Sequence, residues 1–373
     1  MSKINLFNHK SPFTIGIEEE YMLCNPDNGD LVDRANEVIN SLSKDIYQRY
    51  SYELILSEIE INTSVCSNVK EAVDEIQYLR NNTKFIGEKY DFKLGISGTH
   101  PTAICKKQSF VDNQSYNWVA DQLQYYAKRN ITFSNHVHIA VNGKECAIHV
   151  ANALRRWIAP LLALSTNSPF LEGELTGLRS SRTFQFSAFP RTNIPSYFND
   201  FNDYFKIIEN YTKSRSIEKP RQIWWKIRPH VEYGTIEFRI CDAQRSLSNI
   251  RMLAALSQAL VYTASKEYHD NTLIEKFNME YLNDSLWKAT RFAFDADIID
   301  PVTEEVSSIK SQIILMLKYV ENALNLFDNS DIINLAQNII SNGSEADNQL
   351  KVFSESGFSG LKMYLMDDVN YKI

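Results

Sequence analysis

Residues 13–24 (FTIGIEEEYMLC) place Phe13, Ile15 and Ile17 at every second position, the period of a strand with one apolar face. A turn at Pro26-Asp27-Asn28-Gly29 returns the chain into Leu31 and Val32. Residues 54–61 and 131–141 read as further strands, and a short one ends between Gly95 and Gly98, ahead of Thr99-His100-Pro101. Residues 223–228 and 234–241 read as a pair joined through Pro229 and Gly234. Helical spacing runs over 69–90 and over 145–165, where Pro160 is expected to kink the helix. Beyond Ser248 the apolar positions Met252, Leu253, Leu256, Leu260 and Val261 recur at helical intervals, and the pattern resumes over 305–341. The stretch 166–195, rich in Gly, Pro, Ser and Arg, is a loop long enough to be functional. Antiparallel strands wrapped by helices give an α+β fold.

Composition narrows this further. With 44% hydrophobic and 23% charged residues the chain can bury a sizeable core. No repeat or Pro/Gly/Ser-rich linker divides it, so residues 1–373 are expected to form one domain, mostly helical from about 248. A net charge of -7 without a basic block excludes a general grip on nucleic acid. No apolar run of membrane-spanning length occurs, and the first residues lack the apolar stretch of an export signal. The 5 cysteines, Cys24, Cys66, Cys105, Cys146 and Cys241, show no paired spacing, which points to a reducing, cytoplasmic setting.

The chemistry is concentrated on strands. In Glu18-Glu19-Glu20 the alternation puts Glu18 and Glu20 on one face and Glu19 on the other. Two buried carboxylates side by side repel unless a hard divalent cation lies between them, although an isolated acidic triplet also suits a solvated edge strand. Glu58 and Glu60 share a face opposite Ile55, Ile59 and Ile61, and Glu53 lies just upstream, a second acidic cluster. His136 and His138 share a face of the third strand, as metal-binding or proton-handling imidazoles would. Ile236, Phe238 and Ile240 form a core face, leaving Glu237 and Arg239 together on the other. A carboxylate for metal beside a guanidinium for phosphate is what phosphoryl transfer requires; a cross-strand salt bridge has the same pattern. Arg179, Arg182, Arg191 and Arg228 add guanidinium forks, and Arg182 and Arg228 are the stronger candidates. No GxxxxGK[ST] or GxGxxG occurs, so a nucleotide would be held by strand faces and metals.

These segments in this order resemble the type 2 glutamate-cysteine ligase family, the YbdK-type carboxylate-amine ligases of the glutamine synthetase-like superfamily. The resemblance runs from about Phe13 to Ile299 and rests on GIEEE, SEIEINTSVC, GTHP, HVHIAV, LLALSTNSPFLEGELTGLRSSR, IWWKIRPH and GTIEFRICDAQ. It implies a curved antiparallel sheet carrying magnesium or manganese sites beside the phosphates of ATP. One metal site would use Glu18, Glu53 and Glu60, the other Glu20, His136 and Glu237, with Glu58 not required. His138, Arg228 and Arg239 would address the phosphates or an acyl phosphate, and Lys226 the nucleotide. Arg182, Asn135 and His100 would address the substrate. The partners implied are a small-molecule carboxylate, glutamate by resemblance, and an amine; a homodimer stays open. Ser134-Asn135, Glu174-Leu175-Thr176-Gly177 and Lys226, where the family has an acid, depart from the pattern and bear on substrate identity. A phosphotransferase of the guanidino kinase kind and a non-catalytic metabolite-binding protein remain alternatives.

Overall fold

The computed structural model describes residues 7–9 and 11–370. In chain order the strands are β1 (Ile15–Cys24), β2 (Tyr50–Tyr52), β3 (Glu58–Asn62), β4 (Lys93–Gly95), β5 (Ser134–Ala140), β6 (Phe170–Leu171), β7 (Glu174–Leu175), β8 (Ile227–His230), β9 (Thr235–Asp242), β10 (Asp297–Ile299) and β11 (Val306–Ser308). The helices are α1 (Ala35–Ser41), α2 (Val69–Tyr90), α3 (Gln114–Leu123), α4 (Lys144–Leu154), α5 (Ile158–Ser165), α6 (Ser181–Phe186), α7 (Phe201–Lys213) and α8 (Leu247–His269). Past α8 come α9 (Met279–Phe292), α10 (Ile309–Leu326), α11 (Ile332–Asn342) and α12 (Glu345–Met366).

An open antiparallel sheet in the order β2-β3-β1-β5-β9-β8 forms the centre, with β4 pairing the last residues of β1 beyond the end of β5. Helices α2, α4, α5 and α8 pack against it. The α+β architecture expected from the sequence is what the structure has. Helix α2 spans 69–90 as the spacing predicts: the Asn68 side chain accepts from Glu71 N at its start. Among the described residues no helix is long and apolar enough to cross a membrane.

Three local expectations are corrected. Residues 54–57 do not extend β3, because Leu56 bonds to Ser109 and to the start of α1 instead of to β1. The helix break falls at Arg155–Trp157, a single 3-10 turn, ahead of Pro160. Pro160 therefore sits in the first turn of α5, where its missing N–H has no carbonyl to satisfy. Pro229 lies inside β8 and not in the turn, which the edge position of β8 allows. The loop 166–195 also contains the β6–β7 hairpin and α6.

Alternation along β1 sends Glu19 into the helix-side core, where it is 1% exposed. Arg80 of α2, 0% exposed, meets it through Nη2 to Oε1 at 3.0 Å and Nε to Oε2 at 3.2 Å. The same guanidinium donates to the carbonyls of Gln244 at 2.7 Å, Arg245 at 2.8 Å and Val369, and Tyr21 donates to Glu19. One ion pair thus ties β1, α2, the entry to α8 and the C-terminal segment together. Glu19→Ala strands a buried cation, and urea unfolding is expected to show a loss of about 3–5 kcal/mol.

Candidate active site

The polar face of the sheet is assembled by register. Glu18 lies opposite Asn62 on one side and His136 on the other, Glu20 opposite Glu60, and His138 opposite Glu237. Glu53 enters from the turn after β2, Tyr116 from α3, Arg182 from α6 and Trp224 from the approach to β8. Together they line a cavity of about 1010 Å3. Glu237 lies beneath its floor, 0% exposed.

A β-bulge shapes one end. His136 stands against both Arg239 and Ile240, since Val137 pairs with Phe238 and Asn135 with Cys241. The carbonyls of Arg239 and Ile240 accept from Arg182 Nη2 at 2.9 Å and Nη1 at 3.0 Å, so Arg182 clamps the bulge while lining the cavity. Past the bulge, Asp242 points into the loop that carries α6. Its Oδ2 accepts from Asn167 N at 2.8 Å and Ser168 Oγ at 2.7 Å, and its Oδ1 from Ser180 Oγ at 2.8 Å. A Cβ on Gly98 would stand 2.7 Å from the Asp242 carboxyl carbon, which explains the glycine ahead of Thr99.

Ligand atoms gather in two sets, each within 4.8 Å: Glu20 with Glu53 and Glu60, and Glu18 with His138 and Glu237. This grouping differs from the division that the resemblance implies, which puts Glu18 with Glu53 and Glu60 and sets Glu20 with His136 and Glu237. Strand parity could not settle this, because Glu18 and Glu20 share a face and differ only in their cross-strand neighbours.

The first set is electrostatically unresolved. Burial, then Glu20 and Glu58, push the Glu53 carboxyl well above its usual range; burial, then Glu18 and Glu53, do so for Glu60. Glu58, 4% exposed, is raised by burial and by Glu20 and Glu60, and it lines the cavity although the resemblance did not require it. Partial relief comes from dipoles and one distant charge: Ser134 donates to Glu20 Oε2 through N at 2.6 Å and Oγ at 2.5 Å, Asn62 donates to Glu60 at 2.8 Å, and Arg239 offsets Glu53 in smaller part. An all-oxygen set of this kind suits a hard divalent cation.

The second set carries its own cations. Burial alone would raise Glu237, but Arg228 and Arg239 outweigh it and hold the carboxyl well below its usual range. Arg228 donates to Oε2 through Nε at 2.6 Å and lies 2.5 Å away through Nη2, and Arg239 Nη1 donates to Oε1 at 2.5 Å. Arg228 Nη1 also donates to the carbonyls of Arg221 at 2.7 Å and Ile223 at 2.6 Å, so this side chain props Glu237. Arg239 keeps Nε without a partner and lines the cavity. Thr235 Oγ1 orients His138 through Nδ1 at 2.9 Å, leaving Nε2 at 3.2 Å from Glu18 and 3.7 Å from Glu237 without hydrogen-bond geometry. Glu18 also lies 3.1 Å from His136 Nδ1, and His136 Nε2 is likewise buried without a partner. Buried imidazole nitrogens lacking partners, set among carboxylates, fit a bound cation.

Three expected residues do not join the cavity wall. Asn135 pairs with Glu19 and Cys241 on the helix side, as the alternation that placed His136 also requires. His100 is buried, with Nε2 at 2.8 Å from Gly29 O and Nδ1 accepting from Thr102 and Ala103, and burial pushes it down to about 4. Lys226 is 1% exposed and absent from the lining. Conversely Tyr116, Ser134, Asp242 and Trp224 belong to the site or its support. Strand parity marked Ser134, two residues before His136, whereas nothing local marked Tyr116. If repulsion in the first set is unrelieved without metal, Glu60→Gln should raise the melting temperature in chelator by on the order of 2 °C. Magnesium or manganese should then stabilise the wild type more than the variant.

Residues 14–360 match glutamate-cysteine ligase family 2 (GCS2). A protein of Solibacter usitatus named "Putative glutamate--cysteine ligase 2" is 32% identical over 360 residues, covering 96% of this chain and 94% of its own. One of the same name from Herpetosiphon aurantiacus is 30% identical over 346 residues, covering 93% and 90%. The crystal structure of a glutamate–cysteine ligase from Francisella tularensis, in complex with AMP, superposes with a TM-score of 0.74 at 10% identity over 97% of this chain and 89% of that one, a likeness of fold. With the match spanning nearly its whole length, the chain belongs to glutamate-cysteine ligase family 2.

Proposed function

We propose that this chain, acting as one catalytic domain, uses ATP with magnesium or manganese to join a small-molecule carboxylate to an amine. Family membership supports glutamate as the carboxylate and an amino compound such as cysteine as the acceptor. The observation that carries the reading is the pair of ligand sets on one sheet face with Arg239 beside them. Glu20, Glu53 and Glu60, and Glu18, His138 and Glu237, would hold divalent cations, which would supply charge neutralisation for phosphoryl transfer.

The chain's own groups do the rest. A substrate carboxylate oxygen attacks the γ-phosphorus of ATP, ADP leaves, and an acyl phosphate remains. The amine nitrogen then attacks the acyl carbon, and phosphate and a proton leave as the amide forms. Arg239, through its unpartnered Nε, addresses the transferring phosphoryl group, and Arg228 keeps Glu237 ionised and fixed. Arg182 on the cavity wall receives a substrate carboxylate. Buried free cysteines at all 5 positions agree with a reducing cytoplasm.

With glutamate, a panel of amines and magnesium or manganese, amine-dependent release of ADP and free phosphate is expected in step with amide. Glu18→Gln and Glu60→Gln should each lower kcat/KM by about 100-fold or more while unfolding stays cooperative. Phosphate retained on the acceptor would point to a phosphotransferase, and full turnover in either variant would remove these residues from the mechanism.

A further inference from the structure

Lys226 has no role in the chemistry above, yet its position is unusual. Arg228 pairs with Glu237 and Ile227 with Phe238, and Arg239 N donates to Lys226 O at 2.9 Å, so Lys226 stands across from Arg239. Two residues from Arg228, it projects from the same face as Arg228, Glu237 and Arg239. Its Nζ is buried without a hydrogen-bond partner. The ring of Phe186, which lines the cavity, lies over that nitrogen at 5.5 Å.

The charged groups facing the amine are Arg182 of α6 and Arg239 and Asp242 of β9. Asp242 is engaged by Asn167, Ser168 and Ser180 and lies 3.8 Å from Arg182, so it offsets the group's charge in part but gives the ammonium no hydrogen bond. Burial, then Arg182 and Arg239, push Lys226 down to about 7. A buried cation beside two others is costly unless an anion completes the group. Arg182 can share that anion, because its two carbonyl bonds use two of five N–H donors.

We infer that Lys226 and Arg182 together seat a second carboxylate of the donor, so that the site selects a dicarboxylic substrate over a monocarboxylic one. The inference rests on the ligase reading and names the feature of the substrate that the site recognises. With the reacting carboxylate near Arg239, the second reaches Lys226 across one strand pair. Because Lys226 is absent from the cavity lining, seating a carboxylate there requires the Phe186 ring, 5.5 Å from Phe189 and 6.4 Å from Trp224, to turn aside.

Equilibrium titration tests this without turnover, using glutamate and 4-aminobutyrate, which lacks only the α-carboxylate. It is run with magnesium, with and without a non-hydrolysable ATP analogue, on wild type, Lys226→Met and Lys226→Arg. Wild type should bind glutamate about tenfold or more tightly than 4-aminobutyrate. Lys226→Met should bring the two affinities within about threefold by weakening glutamate alone, and Lys226→Arg should keep most of the preference. Lys226→Met replaces an unpaired buried cation by an apolar side chain of similar volume, so its melting temperature should not fall. A wild type without preference, or a Lys226→Met protein that keeps the preference or loses both ligands equally, overturns the inference. Failure of the ligase reading shows separately, as absence of ADP release with glutamate and hydroxylamine as a small acceptor.

Discussion

Carboxylates crowded on one face of a sheet repel each other, and burial strengthens the repulsion by removing water. Glu18, Glu20, Glu53, Glu58, Glu60 and Glu237 stand in that relation here, and the molecule answers it differently at the two ends. At β9 two guanidinium groups neutralise Glu237 from within the chain. At β1 and β3 the Glu20, Glu53 and Glu60 group is bonded by hydroxyl, amide and backbone dipoles, and Arg239 acts on Glu53 without outweighing burial and the neighbouring carboxylates. The less compensated end is the all-oxygen set, and this asymmetry makes a divalent cation its natural complement.

The strain is tolerable because the scaffold holding it is tied on the other side. The alternation that presents Glu18 and Glu20 to the cavity delivers Glu19 to Arg80. A slip of one residue in β1 would put one carboxylate on the polar face and two against α2, so the ion pair and the acidic floor specify the same register. Asp242 plays a comparable part for the loop carrying Arg182, and Gly98 leaves it room. Rigid support around a repulsive centre lets like charges stay close enough to share ions.

The chain shares nearly its whole length with the family, yet two of its own side chains adjust the site. Ser134 gives Glu20 a hydroxyl as well as a backbone donor, fixing one carboxylate oxygen. Lys226 adds a buried amine beside Arg182 and Arg239, behind the cavity wall.

Sequence alone determined which faces the functional residues occupy. Period two in β1, β5 and β9 separates Glu18, Glu20, His136, His138, Glu237 and Arg239 from the core, because successive side chains on a strand must point to opposite sides. By the same rule Asn135 belonged on the helix side. Strand order, the bulge at His136 and the turn that brings in Glu53 are long-range pairings, and only they decided that Glu20 joins Glu53 and Glu60 while Glu18 joins His138 and Glu237. Likewise no local pattern could show that His100 bonds to Gly29, that Tyr116 reaches the site from α3, or that Phe186 lies over Lys226. Those contacts join residues far apart in the chain, and packing of separate elements against the sheet, with no local periodicity behind it, creates them.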